Sequence, residues 1–409
     1  MRIIKSIFLC IMIVILFVTA AIGVHGQSID QPGGSADAES SSPEIAHVVS
    51  AIFVQKNTDG TDDGFEKLTA LMREGGISFY QNQNSEKGLI GANDVVLLEI
   101  NCQWAERGGT NTDLLKSIVQ TIIRHPDGFE GEIIIADNGQ ALYGSDGDGG
   151  SLDWEHTNSK DRTQSVLDVV NYFAGQGVRI SGVLWDEFTT VRVAEFDETG
   201  DNRNGFVVEP EEHSTGIRIT YPKFTTEYGT KVSFKKGIWD EEAKQYDASS
   251  LKVINVPVLK SHGIYQVTGA IKSYMGVNSL ALTGGATHRN VGRGAMGTQL
   301  AHTRMPVLNL IDAIWVTPDG GPSAPYSRAV ETNMILASTD PVALDYWASK
   351  HILVEAAQKA GNKQYESMSP DGTTPGTFGY WLRLSMQELQ KAGFQTTMDE
   401  NEMAVYIAE

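Results

Sequence analysis

The fold turns on "VINVPVLKSHGIYQVTGAIKSYMGVNS", residues 253–279. The stretch opens as an apolar, β-branched run, the pattern of a buried strand. It then sets Lys260, His262 and Lys272 among glycines. Lys260 and His262 stand two apart at the end of the extended run, so they project to the same side. The following segment, 264–275, has helical spacing. Val267, Ala270, Ile271, Tyr274 and Met275 share an apolar face, and Lys272 lies opposite, beside Thr268, Gly269 and Gly276. A solvated helix face would carry Glu, Gln and Lys there. Small residues instead admit close approach of another body. Two lysines and a histidine around such an approach suit a carboxylate, a phosphate or an enolate.

Working outward, the chain alternates between two periods. Strands are expected over 47–55, 94–101, 131–137 and 178–186, and helices over 62–76, 112–125 and 161–177. Continuous apolar strands separated by amphipathic helices imply an α/β fold with a mostly parallel sheet flanked by helices. Residues 187–239 break the pattern. They are polar, with alternating runs such as "GIRITYP", and read as an antiparallel insertion or lid. The α/β pattern resumes at "LKVINVPVLK" and ends in a helix over 380–392. The α/β domain therefore spans 45–393, with 394–409 as a C-terminal extension.

The N-terminus begins "MRIIKSIFLC", with Arg2 and Lys5 ahead of an apolar run over 7–23. This is the pattern of an export signal over 1–26, either cleaved or kept as a membrane anchor. A Ser/Gly/Pro-rich linker over 27–44 follows. The protein is thus expected outside the cytoplasm, periplasmic, secreted or tethered through residues 7–23. The formal net charge of −19 argues against nucleic acid as a partner. Apart from Cys10, Cys102 is the only cysteine, too few for a cysteine-ligated iron–sulfur cluster. Asp146, Asp148 and Asp153 lack the later ligands of an EF-hand loop, so no metal site is indicated.

In open α/β sheets ligands bind beyond the carboxyl ends of the strands. Four apolar runs end there in polar groups: Glu99 and Asn101, Asp137, Asp186, and Lys260 with His262. After Asn101, Gly108 and Gly109 lead into Thr110, Asn111 and Thr112 at a helix start. Free N–H groups and hydroxyls there could hold an anion, and a plain N-cap explains the same residues. The basic, Gly-rich segment carrying His288, Arg289, Arg293, His302 and Arg304 could complete an anion pocket. Asp340 before Pro341 reads as an N-cap followed by proline at the first helical position.

These residues resemble a known family. "VPVLKSHGIYQVTGAIKSYMG", with the later "DAIW", "DGGP" and "ILASTDPVALD", is similar to the signature of domain-of-unknown-function family 362. The similarity covers most of 95–353, and the lysine–histidine–lysine motif is its most specific part. The resemblance implies an α/β domain of unassigned activity, often found beside ferredoxin-type modules. It places the family's polar positions on Asn101, Thr110, Lys260, His262, Lys272, His302, Asp312 and Asp340. Two departures stand out. Family members tend to have a lysine just before the asparagine of the first motif, where this chain reads "LLEIN" with Glu99. The cluster-binding cysteines are absent, so no iron–sulfur cluster is expected from this chain.

The expectation is an enzyme acting on a small anionic or carbonyl substrate at the strand ends. Lys260 and Lys272 would hold or polarise it and His262 would move a proton. Asn101, Gly109, Thr110, Thr112, Asp137, Thr268, His302 and Asp312 would line the ligand site. The same pocket could instead serve a non-catalytic extracytoplasmic protein that binds an anionic ligand. A third alternative is an interaction module built on residues 187–239.

Overall fold

The computed structural model describes residues 48–139, 150–198, 200–323 and 325–409. The expected export signal and linker, and Asp146 and Asp148, lie outside the described residues.

A large sheet organises the chain. Its strands run in the order Met403–Ala408, Ser50–Lys56, Val330–Ser338, Leu308–Thr317, Leu251–Val256, Val95–Ile100, Glu132–Asp137 and Ile180–Leu184. All these neighbours pair in parallel except at Val330–Ser338, which is antiparallel to both of its own. Every residue of Val95–Ile100 and Glu132–Asp137 is buried. Covering both faces of such a strand requires apolar side chains at successive positions, which explains the continuous runs. Val96, Leu98 and Ile100 face one core, with the helices Gly64–Glu74, Thr112–Ile123 and Val166–Ala174. Val95 and Leu97 face the other, with the helices Ala295–His302, Pro341–Ala348 and Phe378–Lys391. Residues 394–409 end in Met403–Ala408, which pairs with Ser50–Lys56 at the sheet edge.

The polar middle forms a second, mostly antiparallel sheet of six strands, from Arg192–Val193 to Gln245–Asp247. It continues past residue 239 because Gly237–Asp240 pairs with Gln245–Asp247. Phe206, Phe224 and Phe234 seat it on the second core, where Phe224 and Phe234 pack around Trp185.

The opening stretch departs from the helix expected over 264–275. Leu251–Val256 is interrupted at Pro257, whose missing N–H ends regular pairing. The chain resumes as Val258–His262, still beside Leu308–Thr317, and turns back as Gln266–Thr268. Only then does helix start, over Ala270–Ser273, followed by a 3₁₀ turn at Tyr274–Val277. The reason lies far away in sequence. The Asp345 carboxylate accepts the N–H groups of Ala270 and Ile271 and so fixes the helix start. Gly269 is needed for it, because a Cβ there would stand 2.3 Å from Asp345 Oδ1. The apolar face is buried as expected, but Lys272 is buried too.

Candidate functional site

The strand ends open onto a cavity of about 780 Å³. Asn101, Asp137, Lys260, His262, Thr268 and Lys272 all line it. Lys260 and Thr268 are cross-strand neighbours in the hairpin, and Lys260 and His262 project together by strand alternation. The hairpin therefore delivers three of the six groups, and the short helix after it delivers Lys272.

Each cation is held differently. Lys260 is 2% exposed, and its ammonium donates to the carbonyl of Gly108. Burial pulls its pKa down to about 7, with Lys272 adding to the effect and Asp137 opposing it. Lys272 is 5% exposed and has no hydrogen-bond or ion-pair partner among the described residues. Its nearest support is the ring face of Tyr265, 5.7 Å from the ammonium. Burial alone pulls its pKa down to about 8.

The geometry around His262 argues against the proton carrier expected from the sequence. Its Nδ1 accepts the N–H groups of Ile264 and Tyr265, both at 3.2 Å. A nitrogen facing two donors cannot carry a proton, so the ring is neutral and protonated on Nε2. Burial and the charges of Lys272, His288 and Lys260 push its pKa down to about 2. His262 is thus a fixed hydrogen-bond donor.

The glycine–threonine turn does not reach the cavity. Thr110 Oγ1 accepts the Asn101 N–H at 2.8 Å and donates to the Val256 carbonyl at 3.0 Å, tying two strand ends together. Thr112 lies beside Thr157 and Gln164, and Gly109 packs under the Trp104 carbonyl. The anion expected at this helix start is supplied by the protein itself. Asn111 Oδ1 caps the N–H groups of Asp113 and Leu114. The Asp312 carboxylate takes the Asn111 N–H at 3.1 Å and Asn158 Nδ2 at 2.8 Å. Asp312, with its pKa raised to about 6 by burial, is an internal brace away from the cavity. His302 also lies elsewhere, with its ring 4.2 Å from that of His213. Asp340 accepts the N–H groups of Val342 and Ala343 as an N-cap.

His288 and Arg289 stand at the cavity where His302 was expected. The His288 ring lies 6.0 Å from that of His262 and 5.0 Å from that of Tyr265. Burial and the charges of Lys272 and Arg289 push its pKa down to about 4. The Gly284–Gly285 pair just before it was the available sequence signal, since both glycines have positive φ and also line the wall. Trp104, Ile264, Leu280 and Pro322 give the cavity an apolar side. Among the described residues of 187–239, Thr190 is the one that lines it. Among the described residues no group of His, Cys, Asp and Glu side chains is arranged to hold a metal ion. No helix among them is long and apolar enough to cross a membrane.

No curated protein and no solved structure matches the chain. The family described as Domain of unknown function (DUF362) matches residues 207–350. That span contains Lys260, His262, Thr268, Lys272 and His288 and begins after Asn101 and Asp137. The chain carries a DUF362 domain at residues 207–350, set in a larger α/β fold.

Proposed function

We propose that this cavity binds a small anionic or carbonyl compound and that the protein is an enzyme acting on it. The observation that carries the reading is Lys272, a buried ammonium aimed into the cavity without a counter-charge. Burying an unpaired charge is costly, so folding alone gives no reason to keep it. An arriving carboxylate, phosphate or enolate would supply the missing partner. Lys260 and the Nε2–H of His262 would orient the same ligand, and the apolar side would take its carbon skeleton. Lys260, poised near neutrality, could exchange a proton with it.

The test is a nuclear magnetic resonance screen of small carboxylates, phosphates and carbonyl compounds against the wild type and Lys272→Met. A charge-assisted hydrogen bond contributes about 1.5–3 kcal/mol, so affinity should fall roughly tenfold or more in the variant. Conversion of a bound compound supports the enzyme. Saturable, Lys272-dependent binding with no conversion across the screen supports the non-catalytic binding protein instead.

We also propose that the protein works outside the cytoplasm, supported by the basic start and the apolar run over 7–23. Fractionation of the producing cell tests this, and recovery of the full-length chain in the cytosol would contradict it.

A further inference from the structure

Beside Lys260 the proposed chemistry can draw on a second proton source, and His262 is not one. Two carboxyl groups, one on the cavity wall and one behind it, have the geometry for it. Glu99 and Asp137 lie near the ends of adjacent parallel strands; Glu99 is fully buried, and Asp137 is buried except where it meets the cavity. Glu99 Oε2 receives the Ser273 hydroxyl at 3.3 Å, and that hydroxyl in turn receives Asn101 Nδ2 at 2.9 Å. Asp137 Oδ2 accepts the Cys102 N–H at 2.8 Å. The remaining oxygens converge on Gly276. A Cβ on that glycine would lie 2.1 Å from Asp137 Oδ1 and 2.8 Å from Glu99 Oε1. The two oxygens are therefore less than about 5 Å apart, a spacing at which two buried carboxyls do not both ionise. Glu99 Oε1 has no hydrogen-bond partner among the described residues. Neither carboxylate is in a salt bridge there.

We propose that Glu99 and Asp137 are both protonated at neutral pH, and that Asp137 exchanges its proton with the ligand in the cavity. Asp137 lines the cavity and Glu99 lies behind it, so transfer occurs at Asp137. The unpartnered Lys272 ammonium opens onto the same space. The step balances simply. The O–H bond at Asp137 breaks as a C–H or O–H bond forms on an enolate-like ligand. The pair is left with one proton and with the negative charge the ligand gives up, and water at the mouth returns the second proton. The reverse step abstracts a proton from a carbonyl compound. The substrate class is thus a carbonyl compound able to form an enolate, and the reaction class is proton transfer.

The groups facing the pair act in both directions. Asp186, from the turn after Ile180–Leu184, raises Asp137, and the hydrogen bonds from Cys102 and the N–H of Asn138 lower it. Lys260 exerts an opposing positive field. Tyr274 lies within electrostatic reach of Glu99. Burial dominates for both carboxyls, raising Asp137 to about 8 and Glu99 well above its ordinary range.

Infrared difference spectroscopy tests this without a ligand. Subtracting the Glu99→Gln/Asp137→Asn double variant from the wild type at pH 7 removes the bands of other protonated acids, Asp345 included. The expected result is a neutral carboxylic-acid band in the wild type that is lost in the variant. On transfer to D₂O that band should shift within the mixing time, because the proton meets the cavity. Wild-type spectra alone suffice to refute the proposal if no such band exists at pH 7. Exchange as slow as that of core amides would also overturn it, since the pair would then be sealed and structural. Single Glu99→Gln and Asp137→Asn variants, checked for folding by circular dichroism, cover a double variant that fails to fold. The inference rests on the cavity being a ligand site. The two are separable, because the band can fail while Lys272-dependent binding stands, and the reverse.

Discussion

Asn101 Oδ1 accepts the N–H of Val258 at 2.9 Å, bridging from the end of one strand to the point where its neighbour restarts after Pro257. The bond lets the hairpin that carries Lys260 and His262 restart beyond Pro257 without an unsatisfied donor. Asn101 thus lines the cavity while both polar ends of its amide are committed to the scaffold, Nδ2 going to Ser273. Its contribution to any ligand is to hold the hairpin in place.

Thr110 ties the same strand ends from the other side. Thr110→Val keeps the shape and removes both hydrogen bonds, leaving the Asn101 N–H and the Val256 carbonyl unpaired. Chemical denaturation should show a loss of about 1–3 kcal/mol. Anion affinity measured on the folded variant should change by less than about threefold, within the context dependence of a remote substitution. A large loss of affinity with unchanged stability would return Thr110 to the ligand site.

Gly276 makes room for two carboxyl groups. Gly276→Ala forces its methyl onto Asp137 Oδ1 and toward Glu99 Oε1, inside contact distance of both. The expected cost is about 2–4 kcal/mol, as for other overpacked sites. Gly292→Ala is the control, since a Cβ there meets nothing within 4 Å. It should be neutral or slightly stabilising. Thermal unfolding of the two variants side by side checks both.

Lys272 should oppose folding at neutral pH. Its folded pKa of about 8 lies below the ordinary lysine value of 10.5. Between these values the unfolded chain binds more protons than the folded one, so the lysine's contribution to stability rises with pH there. Below about pH 8 the buried charge imposes its full penalty. Lys272→Met should therefore stabilise the protein at pH 7 by on the order of 1–3 kcal/mol. The gain should shrink as the pH rises toward 10.5. A variant less stable than the wild type at pH 7 would identify Lys272 as a structural ion-pair partner.

Asp137 gives the opposite slope. Its carboxyl is raised from 3.8 to about 8, so the folded state retains a proton that the unfolded state releases in that window. Its contribution to stability is present below pH 3.8 and is lost as the pH rises to about 8. Asp137→Asn, which cannot ionise, should gain stability relative to the wild type as the pH rises across that window. Equal pH profiles for the two proteins would show that Asp137 titrates as an ordinary carboxylate.

Much of this was legible in the sequence, for definite reasons. Strands buried on both faces must be continuously apolar, so the runs ending at Ile100, Asp137 and Val256 stood out, and the groups at their ends share one rim. The hairpin at 258–268 was hidden, because Val267 on a strand and Ala270, Ile271 and Tyr274 on helical turns together mimic a single helical face. The start of that helix depends on Asp345, 75 residues away from Ala270. The turn at Thr110 looked like an empty anion site because nothing local shows that Asp312, 201 residues beyond Asn111, fills it. His302 and His288 were equivalent as isolated histidines. Only the path of the chain sets His288 at the cavity and His302 beside His213.

The central claim is that Lys272 is a buried cation kept unpaired for an anion. A titration of its side-chain amine by nuclear magnetic resonance, with the signal assigned through Lys272→Met, tests it most directly. The account predicts a midpoint near 8 in the free protein, moving upward when a bound carboxylate or phosphate supplies the counter-charge. A midpoint at the ordinary 10.5, unmoved by any anion, would contradict it.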